Sequence, residues 1–208
     1  MTVINWPVYR RSRAGVTSFT KLDDIQRLFL KNWLVDNLNC LKDDFLIIQT
    51  DLPIANEISN RFYFLAIDRC GNLTVIELNT SGATGDDSFP YLKYAGLCSQ
   101  FTGDQIVSIY KDYLKSIGSN DKAEEVVKQF IGSDDYMAKL NIGNSQRIVL
   151  VAEKFDKNHT VLIYWLKNNG ISIDCYNATP FLRNENISLE LKYLVIDKES
   201  IYYNVIEI

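Results

Sequence analysis

The stretch from residue 62 to residue 79 limits most strongly what this chain can fold into. It reads FYFLAID, then RCGN, then LTVIELN. Aromatic and β-branched residues fill both arms, and Gly71 and Asn72 mark a reversal, which predicts two antiparallel strands joined by a tight turn. Glu77 interrupts the apolar run of the second arm. A carboxylate in a buried strand is costly unless it has a partner or a function, so Glu77 is a candidate site residue.

The rest of the chain alternates between helical and strand patterns. Apolar residues recur at helical spacing over residues 20–40, which predicts a first helix. Further helices are predicted over residues 86–101, with Asp86 or Asp87 as the cap, and over 106–117 and 159–168, and one or two short acidic helices with connecting turns are predicted within 119–141. Strands are predicted over 46–50, 147–152, 171–176, 187–196 and 202–206. This order predicts an α/β fold with a mixed central sheet flanked by helices. Residues 1–20 are predicted to form a basic N-terminal arm or an added edge strand, and residues 21–208 a single domain.

Charge and composition limit the partners. The net charge of −4 does not favour broad nucleic-acid binding. Residues 1–21 carry four basic residues and no acid, whereas the remainder carries 18 basic and 26 acidic residues, a net charge of −8. Arg10, Arg11 and Arg13 of the arm are therefore candidates for phosphate contacts, with a solvated tail as the alternative. No stretch approaches about 18 apolar residues and the start has no apolar signal region, so we expect a cytoplasmic protein without a membrane span.

Several motifs together resemble one nuclease superfamily. The strand IEL, following an arm of the form aliphatic-AID-x-x-GNL, resembles the hairpin of the PD-(D/E)XK nucleases, which have the restriction-endonuclease-like fold. LxDIQxxFL upstream is similar to the first helix of that family, and LKYA at residues 92–95 is similar to the helix that follows its active site. RIVLVAEKFD, WLKNNG and IDCY are similar to the second half of small, mostly uncharacterised bacterial members. The resemblance covers residues 20–200 approximately and implies a restriction-endonuclease-like core.

The resemblance also implies where an active site would lie. In such nucleases an Asp on the first hairpin strand and a Glu on the second hold Mg²⁺, and a Lys two residues later stabilises the attacking water or the phosphate. These positions correspond to Tyr63, Glu77 and Asn79. The assisting positions, an acid on the first helix and a Gln on the later one, correspond to Gln26 and Pro90. Of these positions, only Glu77 keeps the residue type of the family. Tyr63 is a phenol and therefore a poor Mg²⁺ ligand, and the amides of Asn79 and Gln26 carry no charge.

Strand geometry predicts how the remaining groups are arranged. Side chains alternate along a strand, so Glu77 and Asn79 are predicted to share one face, with Tyr63 across from Glu77. In that position the Tyr63 hydroxyl is able to donate a hydrogen bond to Glu77 without a metal. Tyr91 and Tyr94 are expected in the core, with stacking on nucleic-acid bases as the alternative.

Other polar residues have two interpretations each. Asp68 is predicted to be a turn residue that points to the opposite face, with a relocated metal ligand as the alternative. Asp86 and Asp87 are predicted helix caps that could also approach Glu77. Lys93 is expected to be exposed and is a candidate phosphate contact. His159 is the only histidine, which excludes a two-histidine metal site, and it is expected to bond locally.

The sequence therefore predicts a nuclease-fold protein with a lost or weakened metal site. Glu77 is the remnant of that site and at most a weak metal ligand, so the protein would act by binding DNA or a protein partner and would need no cofactor. One alternative is an active Mg²⁺- or Mn²⁺-dependent endonuclease with relocated ligands. A second alternative is a protein–protein interaction module without a nucleic-acid role. All three are compatible with a homo-oligomer.

Overall fold

The computed structural model describes residues 3–7, 31–37, 41, 44–50, 61–79, 89–183 and 186–196. Within these ranges, seven strands form one sheet in the order β1-β7-β6-β5-β4-β3-β2. The strands are β1 Val3–Pro7, β2 Phe45–Thr50, β3 Arg61–Asp68, β4 Leu73–Asn79, β5 Arg147–Ala152, β6 Ser172–Arg183 and β7 Asn186–Tyr193. The helices are α1 (residues 31–36), α2 Pro90–Cys98, α3 Gly103–Ser116, α4 Ala123–Ile131 and α5 Lys157–Asn168, with 3₁₀ turns at Met137–Lys139 and Ile142–Asn144.

The predicted hairpin forms β3 and β4, with the register that strand alternation predicted. Tyr63 on β3 lies directly opposite Glu77 on β4. Both strands are lined with large apolar side chains on both faces, and every residue of β4 is buried. The hairpin therefore lies inside the sheet and not at its edge, which explains why so few of its residues are polar.

The turn of the hairpin is fixed by its polar residues. The Asp68 carboxylate accepts hydrogen bonds from the backbone N–H groups of Cys70 and Asn72, both at 2.9 Å. Gly71 has a φ of +86°, and a Cβ at this position would collide with the backbone carbonyl of Lys139. Asp68 is thus a turn residue, as predicted, and Gly71 is required by both its φ and its surroundings.

Helices cover both faces of the sheet, as the order of elements predicted. β4, β5 and β6 are parallel, and the other neighbouring pairs are antiparallel. α2–α4 connect β4 to β5, and α5 connects β5 to β6. Because crossovers between parallel strands are right-handed, these four helices are expected on the same face of the sheet. They pack there on Val75 and Leu150. On the other face Trp33 of α1 packs with Ile76 and Val149. The chain is therefore an α/β protein with a mixed sheet flanked by helices.

One predicted helix start is wrong. The helix predicted to begin at Asp86 or Asp87 begins at Pro90, so neither acid is its N-cap. Phe89 occupies the cap position in the left-handed conformation, with φ 42° and ψ 54°. Proline suits the first helical position because its missing N–H would have no intrahelical partner there. Both acids lie outside the described residues.

Other boundaries differ by a few residues. α5 begins at residue 157, not 159, and β6 extends to residue 183, not 176. Residues 3–7 form an edge strand beside β7, which was one of the two options for the N-terminal segment. The predicted strand over residues 202–206, and Arg10, Arg11, Arg13 and Gln26, lie outside the described residues. Among the residues that the structure does describe, no helix has the length and apolarity needed to cross a bilayer.

Candidate functional site

Three of the predicted site residues come together on the sheet face that α2–α5 cover. Tyr63 pairs with Glu77 across the hairpin, and Glu77 is in register with Leu150 on β5. Asn79 lies two residues further along β4 and shares this face. Tyr63 is 2% exposed and Glu77 is 4% exposed, and Asn79 is buried as well. The described part of the site is therefore a buried polar cluster, but the hydrogen bond expected from the Tyr63 hydroxyl to Glu77 is not formed.

α2 covers this cluster with tyrosine side chains. The ring of Tyr94 packs against the ring of Tyr63, with 4.8 Å between the centroids. Tyr91, one turn earlier, is also buried, so both α2 tyrosines belong to the core as predicted. Burial and, to a smaller extent, the charge of Glu77 raise the pKa of Tyr94 above its ordinary value of 10.0. The Tyr94 hydroxyl is therefore protonated at neutral pH within the electrostatic reach of the Glu77 carboxylate.

The donor groups of this cluster do not fit the Mg²⁺ or Mn²⁺ that the resemblance implies. Such ions prefer several hard oxygen ligands, mostly carboxylates, waters and phosphate oxygens. Glu77 contributes one carboxylate, and its described polar neighbours are the phenols of Tyr63 and Tyr94 and the amide of Asn79. Within the described ranges, no group of three His, Cys, Asp or Glu side chains is placed to hold a metal ion. Asp86 and Asp87, the proposed relocated ligands, lie outside these ranges.

A row of residues beside this cluster crosses the carboxyl ends of β4 and β5 and the middle of β6. Asn79 on β4, Ala152 on β5 and Asn177 on β6 are in register. The Asn177 Oδ1 atom is buried and receives no hydrogen bond from the described residues. Ligands of open α/β sheets bind beyond the carboxyl ends of the strands, so this row extends the candidate site. Sequence reasoning missed Asn177, because β6 also carries Asp174 and Thr179 and no local signal singles out the amide.

Asp68 belongs to a separate network at the other end of the hairpin. Arg147 Nη1 lies 3.1 Å from Asp68 Oδ2, and Arg147 Nη2 lies 3.0 Å from Asp174 Oδ2. Tyr193 donates its hydroxyl hydrogen bond to Asp174 Oδ1 at 2.8 Å. This network faces α1, on the side of the sheet away from Glu77. Asp68 is therefore an ion-pair partner and is not a relocated ligand beside Glu77.

The remaining candidates occupy local structural positions. His159 Nδ1 lies 2.8 Å from Oδ1 of Asp156, the N-cap of α5, so the predicted local bonding is confirmed. Burial raises the pKa of the Cys175 thiol to about 12 and that of Cys98 to about 11. Neither thiol is a nucleophile at neutral pH, because the thiolate is the reactive form. Lys93 is exposed on α2, as predicted.

Comparisons of the chain with protein-family models, with curated protein sequences and with solved structures gave no match. Membership of the PD-(D/E)XK superfamily therefore stays a prediction from the sequence motifs. Beyond these motifs, the structure shows that Tyr63 lies in register with Glu77, that both residues are buried and that α2 packs over them.

Proposed function

We propose that this chain is a restriction-endonuclease-like protein that has lost metal-dependent cleavage and acts by binding. The observation that carries the proposal is the direct pairing of Tyr63 with Glu77. The resemblance implies a metal-holding Asp at position 63, where this chain has a neutral phenol. Asn79 stands where the resemblance implies a Lys. Positions 63 and 79 thus supply neither the second carboxylate nor the cation that would offset charge on a phosphate.

The order of elements supports the fold part of the proposal. A helix, three antiparallel strands, a helical segment and a returning parallel strand follow one another, as the sequence pattern predicted. α2 carries the LKYA motif. It begins after the hairpin and packs over β4, where the resemblance implies that this helix lies. These features are shared by other α/β folds, so they support the assignment together with the motifs.

The burial of Glu77 supports binding in preference to catalysis. A phosphodiester that is to be cut has to reach the metal and its ligands directly. Glu77 is 4% exposed, and the packed rings of Tyr63 and Tyr94 lie beside it. A carboxylate in this position contributes to the interior of the sheet and does not face a substrate.

Two kinds of partner fit the charge distribution. A nucleic acid would be held by Arg10, Arg11 and Arg13, which lie outside the described residues, and by the exposed Lys93 on α2. A protein partner fits the opposite charge of α3, α4 and their connections, because residues 104–135 hold seven acids and four lysines. That acidic surface is the specific observation in favour of the interaction module as second candidate.

A cleavage assay tests the loss of catalysis. We expect the purified chain to leave plasmid and single-stranded DNA intact with Mg²⁺ or Mn²⁺. The double variant Tyr63→Asp with Asn79→Lys restores the ligand set of the motif, so gained cleavage that requires Glu77 would support the proposed ancestry. Robust cutting by the unaltered chain that disappears in Glu77→Ala would instead establish an active enzyme with relocated ligands.

A gel-shift at two salt concentrations separates the two kinds of partner. Phosphate contacts release counterions, so nucleic-acid binding through the arm is expected to weaken steeply as salt rises. The triple variant Arg10→Gln, Arg11→Gln and Arg13→Gln should lose that binding, while Lys154→Gln serves as a matched exposed control. Absence of any shift at low salt would leave the protein partner as the function.

A further inference from the structure

Among the helices α2–α5, α2 has the weakest stabilisation at its ends. Phe89, directly before its first turn, has a left-handed backbone at φ 42°, which is costly for a bulky residue. Pro90 suits the first position, but within residues 89–99 no side chain caps the helix, no acid lies in the first turn and no base lies in the last turn. α3, by contrast, begins with a capping box between Thr102 and Gln105 and has favourable charges at both ends. The first turns of α2 therefore depend on contacts with the rest of the fold.

An edge-on ring contact attaches the start of α2 to α5. The Phe89 ring packs against the ring of His159, with 5.2 Å between the centroids. His159 is buried, and its Nδ1 atom lies 2.8 Å from Oδ1 of Asp156, the N-cap of α5, so its ring is held in place. The ring contact stabilises the attached position of Phe89, whereas the left-handed backbone of the same residue destabilises it. The two effects oppose each other, so little free energy is needed to detach the start of α2.

The other end of α2 is firmly attached. Asn141 Nδ2 donates hydrogen bonds to the carbonyl oxygen of Cys98 at 3.1 Å and to that of Phe101 at 2.8 Å. The backbone N–H of Asn141 in turn donates to the carbonyl of Gly71 in the hairpin turn, at 2.9 Å. Gly96 lies just before this attached end, and a Cβ there would meet no atom within 4 Å. Packing therefore does not require this glycine, and its main effect is to leave the backbone free to rotate.

We propose that residues 89–96 form a lid that detaches about Gly96 and uncovers the pair of Tyr63 and Glu77. The lid carries Tyr94, whose ring packs on that of Tyr63 with 4.8 Å between the centroids. When the lid detaches, the Glu77 carboxylate regains hydration, which offsets part of the apolar contact that is lost. The strands β3 and β4 stay in place, because they are paired with their neighbours in the sheet. The inference rests on the proposed function only for the use of the opening, which is to admit a binding partner to the candidate site.

Hydrogen exchange of the full chain, without metal or partner, tests the lid. The amide hydrogens of Tyr94 and Ala95 should have protection factors at least about tenfold lower than that of Tyr110 in α3, which exchanges only in larger openings. Gly96→Ala should slow exchange in the lid about fivefold, because alanine favours the helix and meets no neighbouring atom. Ser108→Ala, which raises the helix propensity at an exposed position of α3, is the matched control and should leave the lid unchanged. Equal protection of the lid and α3 would overturn the inference.

Carbodiimide coupling of a small amine, read by mass spectrometry, tests what the lid uncovers. Phe89→Ala removes the ring contact and should speed modification of Glu77 about threefold or more, whereas Gly96→Ala should slow it about fivefold. Trp165→Ala, at an exposed aromatic residue of α5, is the control and should change nothing. Asp68 is as buried as Glu77 but lies on the other face, so its modification should be equal in all four proteins. Modification of Glu77 at one rate in all four would overturn the inference, whereas metal-dependent cleavage would refute only the proposed function.

Discussion

Asp68 and Glu77 are buried carboxylates at opposite ends of one hairpin and on opposite faces of one sheet. Asp68 is paired with Arg147 at 3.1 Å and accepts two backbone hydrogen bonds in the turn. Glu77 lies among tyrosines, with Tyr63 opposite it and Tyr94 close enough for its pKa to be raised by the Glu77 charge. One carboxylate thus has the surroundings of a structural ion pair, whereas the described neighbours of the other are mainly tyrosine side chains.

The difference shows that burial of an acid does not identify its role. A buried charge is stabilised by a cation and by N–H donors, which Asp68 has in its turn and in Arg147. Phenols offer hydrogen bonds without charge, so they accommodate a carboxylate less strongly. The described surroundings of Glu77 therefore differ in kind from those of Asp68, although both carboxylates are buried.

The largest effect is expected when Arg147 is replaced. Arg147→Met leaves Asp68 and Asp174 buried without their shared cation, which should lower the free energy of unfolding by about 3 kcal/mol or more. Urea denaturation measures this change. The control is Lys122→Met, which removes an exposed pair with Glu125 and should have no measurable effect. Equal results for the two variants would mean that the buried network is not structural.

The same chemical change at both carboxylates gives the sharpest contrast. Asp68→Asn weakens the pair with Arg147 and should cost about 2 kcal/mol. Glu77→Gln keeps the size of the side chain and removes its charge, so the stability should change by less than about 1 kcal/mol. Urea denaturation of both variants under one condition makes the comparison. A cost at Glu77 as large as that at Asp68 would assign Glu77 to the stability of the fold.

A smaller effect is expected at alkaline pH. Burial and the hydrogen bond to Asp174 raise the pKa of Tyr193 from 10.0 to about 12. The folded state therefore holds this proton more tightly than the unfolded state, and the resulting stabilisation is complete below pH 10 and lost as the pH rises to about 12. Tyr193→Phe should lose stability less steeply over this range in thermal melts. Cys98 and Cys175 titrate in the same region in both proteins, so coinciding curves would refute the contribution of Tyr193.

The hairpin and its register were predictable because their signals are local. Gly71 and Asn72 fix the turn, and strand alternation then places Tyr63 opposite Glu77 without further information. The polar core of the candidate site follows from that register. The same reasoning could have placed the start of α2, because Pro90 is a better start signal than the acids before it.

The ion-pair network was not predictable from local pattern. Arg147 meets Asp68 across 79 residues and Asp174 across 27 residues, and only the order of strands in the sheet brings them together. Asn177 comes into register with Asn79 for the same reason, through the parallel pairing of β4 and β6 with β5. Pairings of this kind require the sheet order, which one sequence leaves open among several topologies.

The most direct test of the central claim is anomalous diffraction from a crystal soaked in Mn²⁺. The account predicts no manganese peak beside Glu77, because the described neighbours of this carboxylate are phenols and an amide. A peak at about 2.1 Å from Glu77 and from a second acidic side chain would contradict it, since an octahedral ion held in this way is the centre of an active nuclease.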